Sequence, residues 1–129
     1  MWENFKNWID IKFKIHQTNN RPLYYKSKQI WWCNLGQNIG DEENGKGLNY
    51  MRPVLILKKF NKNLCLAVPI SSVLKDNKYY IQINYHGKSY SALISQVRAI
   101  DSKRLQNKIA ELNNEYFRRV LDGIREFWQ

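Results

Sequence analysis

The sequence predicts a mainly β domain with helices (α+β): a small, highly bent sheet or barrel carrying one helix at each end. Three observations lead there. Several short apolar runs with strand-like alternation are separated by Gly, Asn and Pro turn signals. The last stretch, FRRVLDGIREFW, repeats its apolar residues at helical spacing. The first stretch, MWENFKNWIDIKFKIHQT, also shows a helical face. Many short strands with a terminal helix pack most simply as a curved sheet against that helix.

Residues 1–18 admit two patterns. Trp2, Phe5, Ile9 and Phe13 share a helical face, while Ile9, Ile11, Phe13 and Ile15 alternate as in a strand. Helix is the better reading, because the first half carries only the helical pattern. Pro22 ends the helix near Arg21, and this front piece reads as an appendage to the core.

The first strand is expected over 29–35. Its adjacent Trp31 and Trp32 must point to opposite faces. One enters the core, and the other needs cover from the front helix or a second subunit. Residues 36–51 read as a long Gly-rich loop holding the acidic run Asp41, Glu42 and Glu43. Long loops on small domains are often functional. No Gly-Lys-Ser/Thr ending marks it as a nucleotide-binding loop.

A second strand is expected over 53–60, buried on both faces at Val54-Leu55-Ile56-Leu57. A turn at Asn61-Lys62-Asn63 leads to a third over 64–70. Alternating Tyr79, Ile81, Ile83 and Tyr85 set the fourth. Gly87 turns the chain into a fifth over 89–94, and a sixth covers 96–100. Asp101 caps the turn that follows, and 105–112 holds a turn and a further strand. Asn113 or Asn114 caps the last helix. Its stripe of Phe117, Val120, Leu121, Ile124, Phe127 and Trp128 is expected to dock on the sheet.

A chain of 129 residues is one ordinary domain, with an apolar share of 43%, enough for a core. No run reaches the roughly 20 apolar residues that cross a bilayer. Charges throughout 1–15 exclude a secretory signal, so a cytoplasmic location is expected. Cys33 and Cys65 lie in apolar runs and read as buried, reduced thiols without zinc-ligand spacing. No metal or other cofactor is implied. Lys and Arg number 21 against 11 Asp and Glu, a net charge of +10. That excess favours a polyanion, nucleic acid before an acidic protein.

No Ser-His-Asp arrangement is suggested, and His16 and His86 read as surface histidines. The remaining candidates for chemistry are Arg52 and the Ser71-Ser72 pair. Arg52 precedes a proline at the mouth of a buried strand, which fixes its backbone. A rigidly held guanidinium clamps phosphate oxygens well. If the second and third strands form a hairpin, the start of one lies beside the end of the other, so Arg52 and Ser71 come together.

The pieces QIWWCNLGQNIGDEENG, RPVLIL, AVPISS and LISQVRAIDSKRL resemble, in order, blocks of the MazF/PemK family, the toxins of type II toxin–antitoxin modules. The resemblance runs from Lys28 to Trp128, which divides the chain into an N-terminal helical extension, 1–27, and a toxin-like domain, 28–129. It implies an SH3-like small barrel working as a homodimer. It implies metal-independent, sequence-specific cutting of single-stranded RNA to 2′,3′-cyclic phosphate and 5′-hydroxyl ends. It implies a cognate acidic antitoxin, in agreement with the charge, with DNA bound only through the antitoxin complex and no membrane role.

By motif, the resemblance assigns catalysis to Arg52 and Ser71, the latter a serine where threonine is usual. It assigns RNA contacts to Asn38, Gly40, Glu42 and Glu43 in the loop, and to Ser72, Gln96 and Arg98. Glu43 stands where glutamine is common, and the loop is lengthened over 47–51. Two alternatives stay open: a non-catalytic RNA- or DNA-binding module on the same barrel, and a degenerate toxin acting only through protein interaction. A gyrase-poisoning toxin of related fold, the CcdB type, fits less well, since the chain lacks a Trp-Gly-Ile-like ending.

Overall fold

The computed structural model describes residues 2–17, 21, 24–36 and 51–128. In chain order these form α1 (Trp2–Gln17), β1 (Gln29–Asn34), β2 (Met51–Lys59), β3 (Leu64–Ser71), β4 (Tyr80–Tyr85), β5 (Lys88–Leu93), β6 (Arg98–Asp101), β7 (Leu105–Glu111) and α2 (Asn114–Arg125). Short 3-10 turns occupy Ile94–Gln96, Ser102–Arg104 and Glu126–Trp128. The expected α+β class is present, and each expected strand appears within a few residues of its place.

The seven strands form one antiparallel sheet in the order β4-β5-β3-β2-β1-β7, with β6 also paired to β3. One edge of β3 is divided between two partners. Its first half, Leu64 to Ala67, pairs with β6, and its last two residues, Ile70 and Ser71, pair with β5. Its other edge pairs along its length with β2. A strand that changes neighbour midway must curl, and register shifts in the β1–β7 and β2–β3 ladders add local bend. This gives the sheet its barrel-like curvature.

Turn chemistry sets the hairpins. The Asn61 side-chain oxygen accepts from the backbone N–H groups of Asn63 and Leu64, at 2.8 and 3.0 Å, which fixes the β2–β3 corner. His86 and Gly87 both have positive φ, 51° and 71°, as a two-residue turn between antiparallel strands requires.

Alternation along the strands sorts the interior into two clusters. Ile30, Leu55, Leu57, Val68, Ile70, Ile83 and Ala92 fall in the first, beneath α2. Cys33, Val54, Ile56, Cys65, Ala67 and Ile100 fall in the second, with Tyr25 and Leu105. All four residues of the Val54–Leu57 run are buried, as expected for a strand covered on both faces. Asn113 caps α2 by accepting from Tyr116 N–H at 3.0 Å. Val120 is buried at its centre, and Phe117, Leu121 and Ile124 pack on the first cluster. Gly123 lets the helix approach closely, since a Cβ there would sit 2.9 Å from the Ile94 Cδ1 atom.

Several expectations need correction. Met51 belongs to β2 rather than to the loop before it. Gln96 lies in a 3-10 turn, and the strand expected to start there begins at Arg98. The docked stripe of α2 stops at Ile124: the chain tightens into a 3-10 turn, leaving Trp128 85% exposed and Phe127 37% exposed. α1 is a helix, but its apolar face is not the expected one. Ile9 and Phe13 are 61% and 60% exposed, whereas Trp8 is buried. Trp8 wins because it has a seat: Gly36 leaves room for its indole, and the Arg104 guanidinium lies 5.8 Å from its ring centroid. The front piece also reaches the interior through Tyr25, which is fully buried and donates to the Asn61 carbonyl at 2.5 Å.

Candidate active site

The start of β2 and the end of β3 lie side by side. Val54 faces Pro69 in the register, and two more residues along each strand bring Arg52 level with Ser71. Arg52 also faces Cys33 of β1, so it enters the sheet between two neighbours. Its side chain is buried, and its Nη1 donates to the Ile70 carbonyl at 3.0 Å. The guanidinium is therefore anchored to the residue next to Ser71. The hairpin geometry expected from the sequence is thus realised at this point.

Ser71 is also buried. Its Oγ accepts from the Val73 backbone N–H at 3.1 Å. With one lone pair engaged, the hydroxyl hydrogen stays available to a further acceptor. Beside this pair is a cavity of about 400 Å³, lined by Trp32, Met51, Arg52, Pro53, Ile70, Ser72 and Tyr90. Ser72 is exposed and on its wall, whereas Ser71 is set back behind it.

Gln96 and Arg98 do not line this cavity. Arg98 faces Ala67 across the β3–β6 ladder, and its charge reaches Arg104 and Cys33. Arg104 donates to the Asn34 and Leu35 carbonyls at 3.4 and 3.5 Å, where β1 ends. Burial, then the Arg98 charge, lowers the pKa of Arg104. These two arginines make a second basic point one strand away from Arg52. Asn38, Gly40, Glu42 and Glu43 lie outside the described residues.

Cys33 and Cys65 are free and buried, as expected. Burial pushes the Cys33 thiol up to about 12, and Cys65 likewise, so neither offers a thiolate at neutral pH. Among the described residues, no three His, Cys, Asp or Glu side chains gather where they could hold a metal ion.

Sequence reasoning did not single out Tyr90 or Arg104. Tyr90 stacks on Tyr85 with centroids 4.3 Å apart and planes 16° from parallel. Burial, then the Tyr90 neighbour, pushes the Tyr85 phenol up to about 12, so it stays neutral. Trp32 carried a signal, since one of two adjacent tryptophans had to lack a place in the core. It is 40% exposed.

A family model described as "PemK-like, MazF-like toxin of type II toxin-antitoxin system" matches residues 26–128. A curated relative, Endoribonuclease EndoA of Bacillus subtilis (strain 168), is 24% identical over 114 residues, covering 80% of this chain and 93% of its own. Among solved structures, MazF (Form-I) from Deinococcus radiodurans superposes with a TM-score of 0.68 at 23% identity, covering 85% of this chain and 98% of that one. The MazF of a MazE–MazF complex (Form-II) from the same organism gives 0.63 at 20% identity, covering 85% and 97%. At these identities the solved structures establish the fold.

Proposed function

The chain belongs to the PemK-like, MazF-like toxins of type II toxin–antitoxin systems, and on that premise we propose that it is an endoribonuclease cutting single-stranded RNA at Arg52 and Ser71. The observation that carries this reading is the buried Arg52, whose guanidinium is tied to the Ile70 carbonyl beside Ser71 at the rim of an open cavity. The curated relative's name, an endoribonuclease, supports the activity. The net charge of +10 supports a polyanionic substrate.

In the reaction the ribose 2′-oxygen forms a bond to the adjacent phosphorus and the bond to the 5′-oxygen breaks. The 2′ proton leaves, and the 5′-oxygen gains one. A guanidinium is a poor proton shuttle, so the part of Arg52 is to stabilise the phosphorane oxygens. Ser71, with Val73 N–H already on its oxygen, donates its hydrogen to a phosphate oxygen or assists the proton's movement. Ser72, Gln96, Arg98 and the segment holding Asn38, Gly40, Glu42 and Glu43 contact the flanking nucleotides. Residues 1–27 form an added N-terminal extension to a toxin domain over 28–129.

A cognate acidic antitoxin is the proposed protein partner, and complexes of MazF with MazE among the structural relatives support it. A homodimer is the proposed working form, with DNA reached only through the antitoxin complex. We place the protein in the cytoplasm. Among the described residues no helix is long and apolar enough to cross a membrane.

The test is incubation of the pure protein with single-stranded RNA in EDTA, followed by sequencing of the cut ends. Cleavage should leave 5′ ends that accept a phosphate without prior phosphatase treatment. Arg52→Ala should lower the rate about 10²–10³-fold with the circular dichroism spectrum retained. Ser71→Ala should lower kcat, whereas Ser72→Ala should chiefly raise KM. An Arg52→Ala protein that cuts at full rate removes the assignment. Retained RNA binding with no cleavage by the wild type would favour the non-catalytic module.

A further inference from the structure

Trp32 sits at the middle of β1 between the half-buried Trp31 and the buried Cys33, yet its own side chain is exposed. Alternation puts it on the same face as Ile30, and Pro53, its register partner, on the same face as Leu55. The first core cluster thus continues outward past Ile30 and Leu55 into the cavity beside Arg52. Over the cluster itself α2 provides the cover. Tyr90, in β5, forms another wall, and its stacking on Tyr85 holds the ring in place.

The cavity therefore joins two chemistries. Two aromatic side chains and a proline supply apolar and π surface, while Arg52 and the Ser72 hydroxyl supply a cation and a polar contact. A bare phosphate has no use for the aromatic walls. A purely apolar ligand makes no use of the polar wall at Ser72. A nucleotide has both a flat π face and a phosphodiester, and single-stranded RNA is commonly held by bases stacked on aromatic side chains. The volume of about 400 Å³ leaves ample room for one base.

We propose that Trp32 and Tyr90 form a stacking pocket for the base of the nucleotide next to the phosphate at Arg52. The pocket selects where the strand is cut by anchoring one base while Arg52 meets the backbone. This proposal rests on the RNA-cutting reading above and adds to it a specificity site. Stacking on Trp32 is a ground-state contact, so its loss falls on KM more than on kcat.

The experiment is a double cycle on a short single-stranded RNA containing one mapped cut site. The bases flanking the cut are removed one at a time, leaving abasic riboses, and kcat and KM are measured with wild type, Trp32→Ala, Trp32→Phe and Tyr90→Ala. At one flanking position, loss of the base should raise KM roughly 5- to 100-fold for the wild type. The same loss should change little for Trp32→Ala, and Trp32→Phe should restore most of the effect. Additive penalties at every position, from a wild type that cuts normally, overturn the stacking pocket and leave the nuclease reading standing. A Trp32→Ala protein with altered dimer mass but unchanged KM gives this face to a second copy and also overturns it. A wild type that neither binds nor cuts single-stranded RNA overturns both proposals.

Discussion

Gly36 shows how one residue can decide the seating of a helix. Its φ is +85°, in the left-handed region, and a Cβ built there would fall inside the Trp8 indole. Two penalties meet at this position: backbone strain and overpacking, each of about 1–3 kcal/mol. Gly36→Ala should lower the melting temperature and expose Trp8, read as a red shift and rise in quenchable tryptophan fluorescence. An unchanged melting temperature would mean that Trp8 has another place to go. The sequence marked Gly36 only as the start of a Gly-rich loop. Its real partner lies 28 positions earlier (Trp8 to Gly36), and nothing local in either segment announces the contact. By contrast, Arg52 beside Ser71 was legible, because strand pairing turns two positions at the ends of a hairpin into neighbours.

Among the elements, the strands whose neighbours are adjacent in sequence were the easiest to read. β2 and β3 are bounded by an Asn-rich corner, and β4 and β5 by a His-Gly turn. β6 was harder, since the chain makes a 3-10 turn at Ile94–Gln96 before pairing begins at Arg98. A three-residue turn leaves no periodicity to detect. The α2 helix was legible at its start, where Asn113 is a strong cap, and less so at its end. Asn113→Ala should cost about 1 kcal/mol of stability by leaving Tyr116 N–H without its acceptor. Urea unfolding with an unchanged slope and a lower midpoint checks this. The loss should extend to the Asn84–Tyr116 side-chain contact, 2.8 Å, which depends on the first turn of the helix.

At the scale of the molecule, charge dominates, and one paired carboxylate, Asp101, ties distant parts together. Asp101 accepts from Arg21 of the front segment and from Lys103 N–H. Burial opposes its ionisation, but these partners bring its pKa below the ordinary carboxylate value. A depressed pKa in the folded state means that the pair adds stability above the unfolded carboxylate pKa, about 4. That contribution is lost as pH falls through the lower folded value. The pair is partly exposed, so solvent screens it and the effect is small. Asp101→Asn should lower stability by a small constant amount above about pH 4 and flatten the acid limb below it. An identical acid limb in the variant would show that Arg21 does not hold the front segment there. Composition announced the positive surplus, but it was silent about which cations gather. Arg98 and Arg104 approach because the 3-10 turn Ser102–Arg104 follows directly on β6.

The pairing of β1 with β7 joins Gln29 to Glu111, the earliest strand to the latest. A ribosome delivers β1 well before its second neighbour exists, so that border of the nascent sheet waits bare until residues 105–111 have been made. Under the proposed role, this order of assembly holds back a finished cutting sheet until β7 has left the ribosome.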